Sequence, residues 1–338
     1  MRILLLQLKR IGDLILTTPA IAAVREKFPQ AHLTLVVSAG AAELLPAIEG
    51  IDRSFVARGR ITDAAQWFTL ARQRYDICLD FTRTDRSAIL TALSGARRRL
   101  TADHPKQREK IRCLSYNELV PTPITTNHTV DYHLGLLEPL SIRGASQKLR
   151  LHLPAAAREK AARVLRDCGI SGDFLLLHPG SARQEKFWVT ERWVELISWA
   201  AARGLPCVLT GGKSPLEQNH IRQIRAQAQE PFTDLSGRID LLTLGAVIAR
   251  AQLLVTVDSA PVHFAVAAAT PQVALFGPTN PLHWRPRFTP AAVLQAGHAQ
   301  PVTEFIPKDK PAAMHLISTE QVISAMENLL SAPHGVTL

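Results

Sequence analysis

Short apolar runs alternate along the chain with longer segments of helical period, and this alternation predicts the fold. Arg2 to Leu8 reads as a first strand, Leu14 to Lys27 as a helix, His32 to Ser38 as a strand and Ala41 to Ile48 as a helix. The series continues with Arg53 to Ala57, helix Thr62 to Arg74 and strand Asp76 to Asp80. Strands that alternate with helices in this way imply a parallel sheet covered on both faces. The pattern breaks from about 139 to 156, where Gly144, a polar stretch and a short strand, Leu149 to Leu153, mark a boundary. A second series follows: helix Ala155 to Cys168, strand Phe174 to Leu177, helix Thr190 to Arg203, strand Pro206 to Leu209 and helix Leu216 to Ala228. Helix Thr243 to Ala251, strand Leu253 to Val257, helix Val262 to Ala269, strand Gln272 to Phe276 and a last helix, Ser318 to Leu330, complete it. The expectation is α/β: two doubly wound domains, 1–150 and 151–338, each offering its strand ends to a shared cleft. The last helix has the option of packing back on the first domain.

Length agrees with this picture, since 338 residues are comfortable for two domains of roughly 150 each. A content of 46% hydrophobic residues suits a globular protein. The 39 basic and 29 acidic residues give a net charge of +10, which favours an anionic partner without choosing among nucleotide-sugar, nucleic acid and anionic lipid, and which a solvated basic face would also explain. The four cysteines, 78, 113, 168 and 207, form no CxxC pair, so reduced core thiols are expected. Ile3 to Leu6 is followed at once by Gln7, Lys9, Arg10 and Asp13, and reads as a strand rather than a leader. No run approaches the ~18–20 apolar residues of a membrane helix. A cytoplasmic location is expected, with contact at a membrane surface left open.

The stretch Asp258 to Pro286 carries the densest chemistry. It leaves the buried run Leu253 to Val257, so Asp258 and Ser259 emerge at a strand's carboxyl end, where open α/β sheets bind ligands. Ser259-Ala260-Pro261 reads as a helix start, which aims N–H groups and partial positive charge at whatever lies over the sheet edge, phosphate being the obvious guest. Thr270-Pro271 stops that helix, and Gly277 to Pro281 turns the chain after the next strand.

Two other loops lie at strand ends in the second series. In His178-Pro179-Gly180-Ser181-Ala182-Arg183-Gln184-Glu185-Lys186, Gly180 permits close backbone approach, Ser181 supplies a hydroxyl and an N–H, and Arg183 and Lys186 add cationic donors. A pyrophosphate wants this mixture; a lysine on a surface loop is the competing reading of Lys186. In Thr210-Gly211-Gly212-Lys213-Ser214-Pro215-Leu216-Glu217 the glycines read as turn formers. Glu217 is either a first-turn acid favoured by the helix dipole or an acceptor for ribose hydroxyls.

In the first series, Lys9-Arg10-Ile11-Gly12-Asp13 has one glycine where a dinucleotide fingerprint needs three. Asp13 is either a helix cap or a base, and a carboxylate committed to N–H groups would be the weaker base. Arg83 and Arg86 follow a strand end, and Arg97-Arg98-Arg99 reads equally as a solvated loop or an anion contact. His128, Asp131 and His133 fit no familiar metal spacing; a helix at the domain seam explains them.

RILLLQLKRIGDLILTTPAIAAVREKFPQAHLTLVV, LLLHPGSARQEKFWVTERWVELI, VLTGGKSPLE and VDSAPVHFAVAAATPQVALFGPTNPLHWRP together resemble the bacterial lipopolysaccharide heptosyltransferases of glycosyltransferase family 9, over nearly the whole chain. The DSAPVH form most resembles the branch acting third in inner-core assembly. The resemblance implies a GT-B fold, with an acceptor-binding Rossmann-like domain first, an ADP-heptose domain second, and no metal or cofactor. It implies Asp13, in GDLILTTPA, as general base, Lys186 on the donor phosphates, Ser181 and Ala182 as the preceding small pair and Glu217 near the ribose. Asp258 and His263 form its D-x-x-x-x-H pattern, with Ser259 and Ala260 between them. Two departures stand out. Ala182 replaces a common hydroxyl-bearing residue, and Ala260 a common glycine.

The chemistry this implies is inversion. A base takes the acceptor hydroxyl's proton, and cationic groups and helix N-termini stabilise departing ADP. Lys9, Arg10, Arg83 and Arg86 are the candidates to hold a lipopolysaccharide inner-core acceptor bearing phosphates and acidic sugars. A nucleotide-sugar 2-epimerase of the same architecture and a non-catalytic nucleotide-sugar binder are the alternatives. Nucleic acid is not expected, because no reader helix or aromatic platform is present.

Overall fold

Leu4, Leu5 and Leu6, fully buried, lie in the central strand of the first sheet, β1 (Arg2–Gln7). Around it stand β2 (His32–Ser38), β3 (Arg53–Ala57), β4 (Ile77–Asp80), β5 (Arg98–Ala102) and β6 (Glu118–Val120), in the order β3-β2-β1-β4-β5-β6. All pairs are parallel, with Leu4 opposite both Thr34 and Cys78. Parallel strands need both faces covered, which is why Ile3 to Leu6 of β1 and Ile77 to Leu79 of β4 are apolar without a break. The helices are α1 (Ile11–Lys27), α2 (Ala64–Arg72), α3 (Asp85–Leu93) and α4 (Thr129–Gly135). The computed structural model describes residues 1–59, 63–104, 111–304, 306 and 312–331; the expected helix start at Thr62 and the chain end at 332–338 lie outside these.

The second sheet repeats the plan. α5 (Ala155–Asp167) leads to β7 (Leu175–His178), α6 (Thr190–Ala201), β8 (Cys207–Leu209), α7 (Pro215–Gln227) and β9 (Thr233–Asp234). Then come α8 (Leu241–Ile248), β10 (Leu253–Val257), α9 (Ala260–Ala268), β11 (Gln272–Phe276), β12 (Ala291–Gln295) and α10 (Thr319–Ser331). Strand order is β12-β11-β10-β7-β8-β9. The two compact units are Met1–His152 and Leu153–Leu338. In each, strand order reverses next to the first strand, between β1 and β4 and between β7 and β10. Ligands of doubly wound sheets bind at such a switch point. α10 buries Val322 and Met326 in the core of its own unit, against β10, β11 and β12.

The structure corrects several expected elements. Ala39–Ala47 is a 3-10 helix rather than an α-helix, with Pro46, which has no N–H to donate, inside it. Leu149 to Leu153 joins neither sheet: Arg150 N–H donates to Thr18 Oγ1 and His152 N–H to the Ala47 carbonyl, two isolated bonds in place of a ladder. The triple arginine is no solvated loop, because two of its members open β5. Arg98 forms a two-pronged pair with Glu118 at 2.6 and 2.7 Å, and Arg99 donates to the Ser115 and Ala96 carbonyls. That pairing holds Glu118 below the usual carboxylate range and raises Arg98. The four cysteines are free, and burial pushes the Cys78 and Cys207 thiols up to about 12.

Candidate functional site

At the first switch point, the chain leaving β1 is tied to the chain leaving β4. Thr82 Oγ1 accepts the Leu8 N–H at 2.7 Å. Asp80, fully buried, accepts the Thr82 and Arg83 N–H groups on Oδ1 and the Tyr116 hydroxyl on Oδ2 at 2.6 Å. Burial raises the Asp80 carboxyl, against these hydrogen bonds. The turn it pins places Arg83 at φ 57°, in the left-handed region where a bulky residue is strained. Arg83 Nε and Nη2 are buried and have no hydrogen-bond partner among the described residues. Arg86 instead lies 3.5 Å from Asp63, a buried carboxylate that also accepts the Arg58 and Gly59 N–H groups.

Asp13 stands in the first turn of α1, not before it. The helix starts at Ile11, Arg10 is the capping residue, and Asp13 Oδ2 accepts the Arg10 N–H at 3.3 Å. Asp13 is therefore not the cap itself but a first-turn acid reaching back to it, half-buried, with one long hydrogen bond to the backbone among the described residues. Lys9 and Arg10 are exposed beside it. Beneath, Gln7 Nε2 donates to Thr17 Oγ1 at 2.8 Å, and that hydroxyl donates to the Asp13 carbonyl at 2.7 Å. His133 Nδ1 lies 3.2 Å from both Thr17 Oγ1 and the Leu16 carbonyl. Burial, with Lys9 nearby, holds His133 down at about 3, so it is neutral and donates from Nδ1. His128 caps α4, its Nδ1 accepting the Val130 N–H.

In the second unit, Lys186 crosses the switch point. It closes a 3-10 turn, Gln184–Lys186, in the loop after β7, and Nζ donates to Asp258 Oδ2 at 2.5 Å and to the Asp258 carbonyl at 3.1 Å. Both side chains are under 10% exposed, which rules out the surface-loop reading of Lys186. Trp188, fully buried, anchors the loop by packing edge-on to Trp193 and donating to the Ile317 carbonyl. Asp258 Oδ2 also accepts the Thr279 hydroxyl at 2.6 Å. His263 is buried within the field of both charges, and burial, the larger effect, holds it down at about 4.

Glu217 is built into a different part of the same rim. The Ser214 hydroxyl caps α7 by accepting the Glu217 N–H and donates to Glu217 Oε2 at 3.0 Å. A Cβ on Gly180 would lie 2.3 Å from Oε1, and one on Gly212 would lie 2.2 Å from Oε2. Gly212 is thus more than a turn former, and with Gly180 it leaves room for a carboxylate over two loops. His178 lies beside Gly180, with Nδ1 3.0 Å from Thr210 Oγ1, and burial holds it at about 4.

Other expected residues do not join this cluster. Arg183 turns to Glu185 at 2.6 Å, and Ala182 is exposed. Ser181 is buried, with Oγ accepting the Arg183 N–H at 3.4 Å. Ser259 is the N-cap residue of α9, yet its hydroxyl donates back to the Val257 carbonyl and caps nothing. Pro261 has no N–H and the Val262 N–H goes to Ser259, so the start of α9 offers fewer amides than its sequence suggests, with Ala260 foremost. His178, Thr210 and Thr279 carried no assigned role in the sequence. Thr279 lies in the loop Gly277 to Pro281, where only turn chemistry was legible. Among the described residues, no group of three His, Cys, Asp or Glu side chains could hold a metal ion, and no helix is long and apolar enough to cross a membrane.

Known proteins resemble this chain over nearly its whole length. The chain is 27% identical to lipopolysaccharide heptosyltransferase 3 of Escherichia coli, over 97% of this chain and 99% of that one. Its structure resembles a glycosyltransferase family 9 protein from Veillonella parvula, with a TM-score of 0.83, 26% identity and 97% of each chain covered. It also resembles E. coli ADP-heptose lipopolysaccharide heptosyltransferase II, with a TM-score of 0.78, 19% identity and 98% of each chain covered. The fold is GT-B, two Rossmann-like domains in one chain. The family model described as glycosyltransferase family 9 (heptosyltransferase) matches residues 64–310. With well over half its length inside that match, the chain belongs to glycosyltransferase family 9, the heptosyltransferases.

Proposed function

We propose that the protein moves heptose from ADP-heptose to the inner core of lipopolysaccharide, with inversion and without a metal. The observation that carries this reading is the buried Lys186–Asp258 pair across the β7/β10 switch point, beside the start of α9. A fixed ammonium and a helix dipole at this point suit a nucleotide's phosphates, which doubly wound sheets take at their switch point. Two of the three Lys186 N–H donors go to Asp258, and the third is left for a phosphate oxygen. Glu217, held open by Gly180 and Gly212, accepts ribose hydroxyls.

In the transfer itself, Asp13 accepts the proton of the acceptor hydroxyl as that oxygen bonds to the anomeric carbon. The bond from that carbon to the phosphate oxygen breaks on the opposite face, and ADP leaves with the electron pair. Asp13 can do this because, among the described residues, one long backbone hydrogen bond engages its carboxylate. Lys186 and the α9 N-terminus meet the charge on the departing diphosphate. Arg83, whose guanidinium has two atoms without a partner among the described residues, and the exposed Lys9 and Arg10 hold the acidic acceptor; Arg86, already beside Asp63, contributes less. We assign the third heptosyltransferase step, after the name of the E. coli relative, at the cytoplasmic face of the inner membrane. A 2-epimerase shares the architecture, but membership of a transferase family favours transfer.

Calorimetric titration with ADP and UDP, each with and without chelator, tests the donor reading. Preference for ADP that survives chelation is expected. Preference for UDP, or binding of neither, would overturn it. Asp13→Asn should keep ADP affinity and lower turnover about 10²-fold or more. Full turnover would remove Asp13 as base.

A further inference from the structure

We propose that Thr279 is a positioning residue for the donor diphosphate, acting through Asp258 on Lys186. The inference rests on the donor reading above and adds a residue to it. Lys186, Asp258 and Thr279 come from the loops after β7, β10 and β11, three strands adjacent in the sheet. Their polar atoms form one chain along that edge: Lys186 Nζ to Asp258 Oδ2 at 2.5 Å, and Thr279 Oγ1 to the same oxygen at 2.6 Å.

The consequence is geometric. A carboxylate oxygen has two lone-pair directions, and on Asp258 Oδ2 one is taken by the ammonium and one by the hydroxyl. The Thr279 hydroxyl therefore fixes the rotation of the Asp258 carboxylate, and the carboxylate, with its own main-chain carbonyl, fixes two of the three Lys186 donors. What remains is one N–H whose direction is set by the two residues behind it. A donor fixed before the ligand arrives costs less ordering on binding than a free lysine, whose long side chain must otherwise be immobilised. Thr279 also stabilises the Asp258 charge when the phosphate draws Lys186 towards itself, so that the carboxylate is not left without a donor in a buried site. Thr279 is itself half-buried, and its hydroxyl donates to Asp258 rather than to Lys186.

The test is a titration of the full chain with ADP. Thr279→Val, which keeps the shape and removes the hydroxyl, should weaken ADP binding about tenfold, the scale of a lost hydrogen bond to a charged group. Thr279→Ser should bind within about twofold of the unsubstituted protein. Combined with Lys186→Ala, Thr279→Val should weaken binding no further, because the residue acts through the lysine. Thermal unfolding of each variant separates this from a merely structural role, which would lower the melting temperature and leave the affinity ratio between Ser and Val near one. Unchanged affinity in Thr279→Val, or losses that add in the double variant, would overturn the inference while leaving the donor reading in place. Failure of the unsubstituted chain to bind ADP would instead remove the donor reading itself.

Discussion

Gly180 lies so close to the Glu217 carboxylate that a methyl group in place of its hydrogen would sit 2.3 Å from Oε1. No side chain fits there without moving Glu217 or the loop after β7. Gly180→Ala should therefore weaken ADP binding about fivefold or more and lower stability by about 1–3 kcal/mol, the usual range for overpacking. Calorimetry and urea unfolding measure the two effects. In the background of Glu217→Ala the same glycine change should cost little stability, since the clashing group is gone. Equal destabilisation in both backgrounds would show that Gly180 serves the backbone alone.

Asp80 holds together the turn that carries Arg83. Tyr116→Phe removes one donor from a fully buried carboxylate and should destabilise the protein by about 1–3 kcal/mol. The urea midpoint checks this. A change below about 0.5 kcal/mol would show that the phenol contributes nothing net to holding this turn.

Arg83 is expected to act on the acceptor and not on the nucleotide. Arg83→Ala should raise the KM for a truncated lipopolysaccharide acceptor about tenfold, the effect of one lost charged contact, with ADP affinity unchanged. Weaker ADP binding with an unaltered acceptor KM would move Arg83 out of the acceptor site.

Stability should fall as the solution is acidified below the ordinary histidine range. Burial holds His133 at about 3 and His178, His220 and His263 at about 4, so the folded protein keeps them neutral while the unfolded chain takes up protons near pH 6.5. The unfolded state then binds more protons, and each imidazole withdraws up to about 1.4 kcal/mol per pH unit between about 6.5 and its folded value. Above that range the contribution is complete. Urea midpoints at pH 7.5, 6.5 and 5.5 should be nearly level over the first interval and drop steeply over the second. A flat profile down to pH 5.5 would mean that these rings are charged in the folded protein.

Much of the architecture was legible because buried parallel strands must be apolar on both faces. Ile3 to Leu6, Leu175 to Leu177 and Leu253 to Val257 announce themselves in this way, and the helices between them follow from their period. Edge strands announced less. β5 opens with arginines whose charges are met by Glu118 and by main-chain carbonyls, partners remote in sequence. β9 has only two residues, and β12 is only partly covered. Leu149 to Leu153 shows the converse: extended chain becomes a strand only where a ladder has room for it.

The sequence by itself determined the two doubly wound units, the family, and the loops in which Asp13, Lys186, Glu217 and Asp258 stand. These depend on local period, turn chemistry and motif, all carried by neighbouring residues. Only the tertiary structure decided the pairings: Lys186 with Asp258, Asp258 with Thr279, Glu217 with Gly180 and Gly212, Arg98 with Glu118. Each joins segments far apart in the chain or sets the orientation of a side chain within a loop. The physical reason is strand order. β7 and β10 become neighbours only when the sheet is wound, and the charges at their ends then leave water together and take each other as partners.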